Sequence, residues 1–164
     1  MSRPAFFGPA LFLLLESCLY LLYVKVGKFH HREFILSLYH WRGDEPILDI
    51  GCGRGLLRSG SLRGGHATGI DIWSTEDLSG NAEAATLQNL EWEGVATRCT
   101  VVSQSATEMS FPDTSFDVVV SYLCLHNIED KSARMAALGQ IARVLRPGGV
   151  AMLSDYKNTG RVCL

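Results

Sequence analysis

Three polar residues stand where a chemical role would need them: Asp49 inside the apolar run Ile47-Leu48-Asp49-Ile50, Asp71 at the end of a second such run, and His126 just beyond a third. Burying a carboxylate is costly unless something bonds it. Asp49 is therefore a brace for the turn that follows or a ligand contact. That turn is Gly51-Cys52-Gly53-Arg54-Gly55. Its three glycines permit left-handed backbone and leave no Cβ where a ligand could press on the chain. Amides of such a loop, with the N-terminus of the helix expected after it, can receive a polar or anionic group. An ordinary βα turn is the plain alternative.

The chemistry of Asp71 follows from its place. It lies twenty residues beyond Gly51 at the C-terminal end of the strand expected over 67–73. In a doubly wound sheet an acid there can accept from both hydroxyls of a ribose, and Ile72 and Trp73 would flank the base. A turn or helix-cap aspartate is the alternative. His126 follows the strand Phe116–Ser121 and would face the crevice at the carboxyl ends of the strands. There it could serve as a general base or substrate contact, or simply pack.

These residues need a parallel sheet to hold them, and the chain supplies its elements in order. The strand around Ile47–Ile50 precedes the glycine turn, and a short helix, broken by Gly60, is expected over 56–65. The strand over 67–73 follows, then a helix over 81–93 with Ala82, Ala85, Leu87 and Leu90 inward. A Thr- and Val-rich strand covers 97–102, and a turn at Pro112-Asp113 leads to the strand at 116–121. A helix over 130–145, with Met135, Leu138, Ile141, Ala142 and Leu145 inward, stops at Arg146-Pro147-Gly148-Gly149. A fifth strand runs over 150–154. Alternating strands and helices define an α/β class.

Composition narrows the functions available. A chain of 164 residues with net charge −2 and pI near 6.2 carries no basic footprint for nucleic acid. Cys18, Cys52, Cys99, Cys124 and Cys163 are scattered and odd in number, which argues against a disulfide framework or zinc site and for a reducing compartment. No metal is expected. The adjacent pair His30-His31 would point to different faces of a helix.

Mean hydropathy is +0.12, and the excess lies at the N-terminus. Residues 5–24 are apolar but for Glu16 and a few small or hydroxylic side chains, with Tyr20 and Tyr23 near one end. A run of about 20 apolar residues suffices to cross a bilayer. Lys25, Lys28 and Arg32 follow it, against Arg3 in front, so the C-terminal side is expected in the cytoplasm. The expected organisation is a membrane-anchor helix over 1–26, an amphipathic linker helix over 27–43 with Phe34, Leu38 and Trp41 on one stripe, and the α/β domain over 44–164. A buried or interfacial helix in a cytoplasmic protein is the alternative. A cleaved signal peptide is disfavoured, because no small-residue cleavage site follows the run.

The glycine turn lacks the Gly-x-Gly-x-x-Gly spacing of a dinucleotide fingerprint. Its Asp-x-Gly-x-Gly-x-Gly pattern instead resembles motif I of class I S-adenosylmethionine-dependent methyltransferases. Two further stretches resemble the same family: Phe111-Pro112-Asp113-Thr114-Ser115-Phe116-Asp117-Val118-Val119 with Leu125-His126, and Leu145-Arg146-Pro147-Gly148-Gly149 before an apolar strand. The middle one is similar to methyltransferases of the ubiquinone and menaquinone type. The resemblance covers residues 44 to about 158. It implies a Rossmann-like doubly wound, mainly parallel sheet in the order 3-2-1-4-5, without the family's last two strands, so that strand five is an edge open to a second chain. It implies S-adenosyl-L-methionine as cofactor. Asp49, Gly51, Cys52, Gly53 and Gly55 would meet its methionine end, through the backbone at Cys52. Asp71 would hold the ribose, Ile72, Ser105 and Ala106 would meet the adenine, and Ser121 would sit at the site's edge. Ser105 stands where many relatives have aspartate, and Asp117 would brace strand four. The implied activity is methyl transfer to a small or lipid-like acceptor. A non-catalytic binding protein on the same fold is the alternative, and an NAD-dependent oxidoreductase a more distant one.

Overall fold

The computed structural model describes residues 7–55, 65–76 and 78–155, and the helix expected over 56–65 falls almost wholly outside them. The chain divides into two units, Met1–Tyr39 and His40–Leu164.

The first unit is helical throughout. Helix α1 (Phe7–Leu22) passes through a π-helical turn (Tyr23–Gly27) into α2 (Lys28–Ser37). The helix expected to reach residue 43 ends at Ser37, where Leu38 and Tyr39 turn back on the carbonyls of Ile35 and Leu36. Its expected stripe is not the buried one. Phe34 and Leu38 are exposed, whereas Arg32, Ile35 and Leu36 are buried. Around α1, large apolar side chains from Leu11 to Leu22 stand 55–68% exposed on every face.

The second unit is a five-stranded sheet in the order 3-2-1-4-5, as expected. Strands β1 (Ile47–Ile50), β2 (Ala67–Asp71), β3 (Cys99–Ser103), β4 (Phe116–Tyr122) and β5 (Leu145–Ser154) all run parallel. The β-branched and leucine-rich runs of β1 and β4 fit a sheet covered on both faces, and both strands are almost completely buried. The core joins Leu48, Ile50, Ile70 and Val119 of the sheet to Ala137, Leu138, Ile141 and Val144 of α4 (Lys131–Val144). Met135 and Ala142, expected inside, face out.

Two details of local geometry depart from the sequence reading. Helix α3 (Glu83–Trp92) buries Thr86 and Leu90 and leaves Leu87 42% exposed. Its inner face is partly polar because it holds the glycine turn, as described below. The Arg-Pro-Gly-Gly segment was expected to separate α4 from the last strand. Instead α4 passes directly into β5, which pairs Leu145 with Phe116 and, after a register shift, Val150 with Val118. The segment is thus a bulge in the strand. A Cβ at Gly149 would lie 2.8 Å from the Asp117 carbonyl oxygen, so the bulge requires glycine there.

Asp117 braces the start of β4, as its place in the motif implied. Its two oxygens accept from Arg146 and Arg42, each at 2.8 Å. Burial opposes ionisation of this carboxyl, but the two guanidinium groups prevail and hold it below the usual range.

Candidate active site

The chain switches direction across the sheet between β1 and β4, so a crevice forms at the carboxyl ends of these strands. The register places Asp49 beside Gly69 and Val120, Ile50 beside Ser121, and Asp71 beside Ser103. Asp49, Asp71 and Ser121 therefore converge on one edge of one sheet, where the sequence reading put them.

Asp49 is buried, and among the described residues no hydrogen bond supports its carboxyl. Burial, and next the charge of Asp71, push its pKa up to about 8. A carboxyl held in that state is suited to a cationic partner, which would restore its charge. Asp71 is differently placed. Its Oδ2 accepts the Gly53 amide at 2.8 Å, and its Oδ1 accepts the Trp73 amide at 2.7 Å and Asn81 Nδ2 at 3.1 Å. It thus ties together the glycine turn, the end of β2 and the loop before α3. A carboxylate has about four acceptor positions, so one remains beyond these three bonds.

The glycine turn differs from the sequence reading in one respect. Its amides were expected to be open to a ligand, but those of Gly51, Cys52, Gly53 and Gly55 are committed within the protein. Gly51 and Cys52 both donate to the Ile70 carbonyl, Gly55 donates to the Cys52 carbonyl, and Gly53 donates to Asp71. Thr86 Oγ1 donates to the Gly53 carbonyl and Asn89 Nδ2 donates to the Arg54 carbonyl at 2.9 Å. The polar inner face of α3 exists for these bonds. Gly51 has φ +70°, and a Cβ there would lie 2.2 Å from Cys124 Sγ. Close packing of the turn on the end of β4 demands glycine. Cys52 packs its side chain over Gly69, where a Cβ would meet it at 2.9 Å, and burial pushes its thiol pKa up. The side chain of Cys52 is a packing group.

Residues expected near the base are dispersed in function. Ile72 is 65% exposed directly beyond Asp71. Trp73 adopts φ 59° and donates its indole N–H to Ser103 Oγ at 2.6 Å. The Ser105 hydroxyl is engaged with Thr107 at 2.8 Å, and Ala106 belongs to the hydrophobic core. Leu123, just past β4, also has positive φ, at 54°. Left-handed backbone at non-glycine residues is strained, and both positions border the crevice.

Three contributors, Asn81, Gln104 and Asp155, were not foreseen. Asn81 orients Asp71 while its own Oδ1 is buried without a partner among the described residues, as are Ser121 Oγ and Gln104 Nε2. Asn81 reads in sequence as the start of a helix, which conceals its role. Asp155 is the third. Its Oδ2 accepts the His126 amide at 2.9 Å and its Oδ1 lies 2.5 Å from His126 Nδ1, with both side chains 10% exposed. The approach to Nδ1 is close but is not aligned as a hydrogen bond.

A buried carboxyl, a second carboxylate tied to the glycine turn and buried polar atoms without partners among the described residues lie together at one edge of the sheet. Comparison with known proteins gives the family. Residues 48–153 match the methyltransferase domain family, and the chain belongs to that family, as a class I S-adenosylmethionine-dependent methyltransferase fold. It is 35% identical over 117 residues to 27-O-demethylrifamycin SV methyltransferase of Amycolatopsis mediterranei, covering 70% of this chain and 40% of that protein. It is 29% identical over 133 residues to demethylmenaquinone methyltransferase of Tropheryma whipplei, covering 80% and 50%. The chain thus spans half or less of the length of these relatives. A crystal structure of an S-adenosylmethionine-dependent methyltransferase from Methanosarcina mazei superposes with TM-score 0.59 at 31% identity, over 73% of this chain and 55% of that one.

S-adenosylmethionine fits the residues present. Its ammonium and sulfonium charges suit Asp49, its ribose hydroxyls suit Asp71, and the unpartnered Ser121 Oγ and Asn81 Oδ1 are polar atoms that a ligand would satisfy.

Proposed function

We propose that this chain is the cofactor-binding core of a methyltransferase acting on a small hydrophobic acceptor at a membrane. The observation that carries the reading is the buried, unsupported Asp49 beside Asp71 at the carboxyl edge of β1 and β2. S-adenosylmethionine supplies an already activated methyl group, so the protein's tasks are binding, alignment and exclusion of water. Asp49 offers its charge to the methionine end. Asp71 holds the ribose and the glycine turn together. Ile72, exposed beyond Asp71, offers an apolar surface to the base, and Ser121 borders the site.

The acceptor class rests on two supports. The relatives named above are methyltransferases of rifamycin and of menaquinone precursors, and a third, 33% identical over 113 residues, is a sterol 4-C-methyltransferase of Caenorhabditis elegans. The second support is the helical run Gly8–Ser37, long and apolar enough to cross a bilayer. We place residues 5–24 in the membrane, with the domain on the cytoplasmic side next to Lys25, Lys28 and Arg32. The edge of β5, unpaired among the described residues and with Val150 and Leu153 more than a third exposed, would accommodate a second chain.

Calorimetric titration of the detergent-purified chain with S-adenosylmethionine, its demethylated product and NADH tests the core of this reading. Saturable binding of the first two, lost in Asp71→Ala, is expected. Binding of NADH alone, or of nothing by a folded protein, refutes it. Carbonate-resistant pelleting with membranes, abolished by deleting residues 7–22, tests the anchor.

A further inference from the structure

We infer that helix α1 pairs side by side with the same helix of a second copy of this chain, through a stripe that carries Glu16 and Tyr20; this rests on the membrane placement proposed above. Glu16 is the sole charged residue between Arg3 and Lys25. It is exposed, and among the described residues its carboxyl has no hydrogen-bond or ion-pair partner. Tyr20, one turn further on, is 68% exposed, and its hydroxyl is equally without a partner among the described residues. Ser17 differs. Its Oγ donates to the Leu13 carbonyl at 2.7 Å and is satisfied within the helix.

In water both groups would bond to solvent. In hydrocarbon there is none, and a carboxyl at that depth requires a partner from protein. Neither membrane surface is within its reach. Glu16 lies eight residues before Val24 and eleven after Ala5, so about 12 Å of helix or more separates it from each end of the apolar run. The run itself holds no cation, because Lys25, Lys28 and Arg32 all follow it.

A second copy supplies what is missing. Copies inserted with one orientation lie parallel, and a two-fold axis along the membrane normal then sets each residue opposite its own counterpart. Such an axis demands groups that complement themselves. In its acid form a carboxyl both donates and accepts, and so does a phenol; a lysine or arginine only donates. Leu13, Glu16 and Tyr20 recur at the three-and-four spacing of a helix seam. Glu16, Ser17, Tyr20 and Leu21 line a hollow on the helix surface into which a facing side chain can enter. Cys18, two residues from Glu16, points to another face of the helix. This contact is separate from the edge of β5.

The test uses the full chain, fluorescently labelled and reconstituted in phosphatidylcholine vesicles, with association read by energy transfer as the lipid-to-protein ratio is varied. A wild-type dimer is expected. Glu16→Leu changes no residue of the α/β unit and should weaken the dimer about 5–30-fold, the worth of an interhelical hydrogen bond. Glu16→Gln keeps a donor and an acceptor and should stay within about threefold of wild type. Leu153→Lys on β5 should leave the dimer unchanged. On oxidation with copper phenanthroline, Tyr20→Cys should form disulfide-linked dimers above the wild-type level. A monomeric wild type, a dimer untouched by Glu16→Leu, a dimer lost in Leu153→Lys, or dimers linked through Cys18 and abolished in Cys18→Ser overturns the inference. A chain that fails the carbonate pelleting described above refutes the membrane placement and this inference with it, whereas a chain that pellets but stays monomeric refutes this inference alone.

Discussion

The carboxylate of Asp71 and the amide of Gly53 are 2.8 Å apart, and through that bond the acid we propose for the ribose is also the clasp of the glycine turn. The same carboxylate accepts from Trp73 and Asn81, so occupancy of the site and order of the turn are coupled. Removing it leaves three donors to find water or nothing. Loss of a partner for buried donors costs about 1–3 kcal/mol. Asp71→Ala should therefore both lower the melting temperature and weaken S-adenosylmethionine binding by at least about tenfold, as melting and calorimetry on the same preparation will show. Loss of affinity with unchanged stability would mean that the clasp carries no load.

For Asp49, stability and the binding role we propose pull in opposite directions. Its folded pKa, raised to about 8, lies well above the ordinary value of about 3.9. The folded state thus binds more protons than the unfolded state between those limits. Stability contributed by this group is fully present below about pH 4, falls as pH rises, and levels off above about pH 8. Asp49→Asn should remove that slope and raise the melting temperature at neutral pH. It should also weaken S-adenosylmethionine binding, because the cation then faces no charge. In the wild type the affinity should rise with pH up to about 8, with proton release on binding, measurable by calorimetry in buffers of different ionisation enthalpy. A pH-independent affinity would show that Asp49 does not meet the cation.

Much of this was legible in sequence because the relevant constraints are local. The run Ile47-Leu48-Asp49-Ile50 followed by spaced glycines can hardly be other than a buried strand entering a turn, and strand order followed from the family pattern. What escaped was long-range pairing. Asn81 meets Asp71 only because the loop before α3 folds back over β2, and Asp155 meets His126 only because β5 ends beside β4. Glycine-turn amides looked open for the same reason, since their acceptors, Ile70 and Asp71, belong to the next strand. The buried face of α3 was misread because Thr86 spends its burial on the Gly53 carbonyl, a polar duty that hydrophobic periodicity does not reveal.

Asp117 gives a prediction away from the site. Its carboxyl is held below the usual range, so its stabilising effect is present above about pH 4 and is lost as pH falls through the depressed folded pKa. Arg42 and Arg146 are each about half exposed, and solvent screening limits their value. Asp117→Asn should cost about 1 kcal/mol at pH 7, read by urea denaturation, and leave cofactor affinity unchanged. A cost that persists undiminished at pH 3 would mean that the ion pairs are not its source.

Gly51 joins packing to backbone geometry, and its substitution separates this fold's tolerance from that of an ordinary turn. At φ +70° any side chain is strained, and its Cβ would meet Cys124 Sγ at 2.2 Å and Cβ at 2.5 Å. Overpacking of this kind costs about 1–3 kcal/mol, with a backbone penalty of about 1–2 kcal/mol for left-handed L-residues. Gly51→Ala should thus be among the most damaging single changes in the chain. Shrinking the neighbour addresses only the first cost: Cys124→Gly in the Gly51→Ala background should recover part of the lost stability but not all, because φ is unchanged. Full recovery would assign the whole effect to the contact, and no recovery would assign it to the backbone. Because the turn also carries the Asp71 clasp, cofactor affinity should follow stability through this series, falling in the single variant and returning in part in the double one.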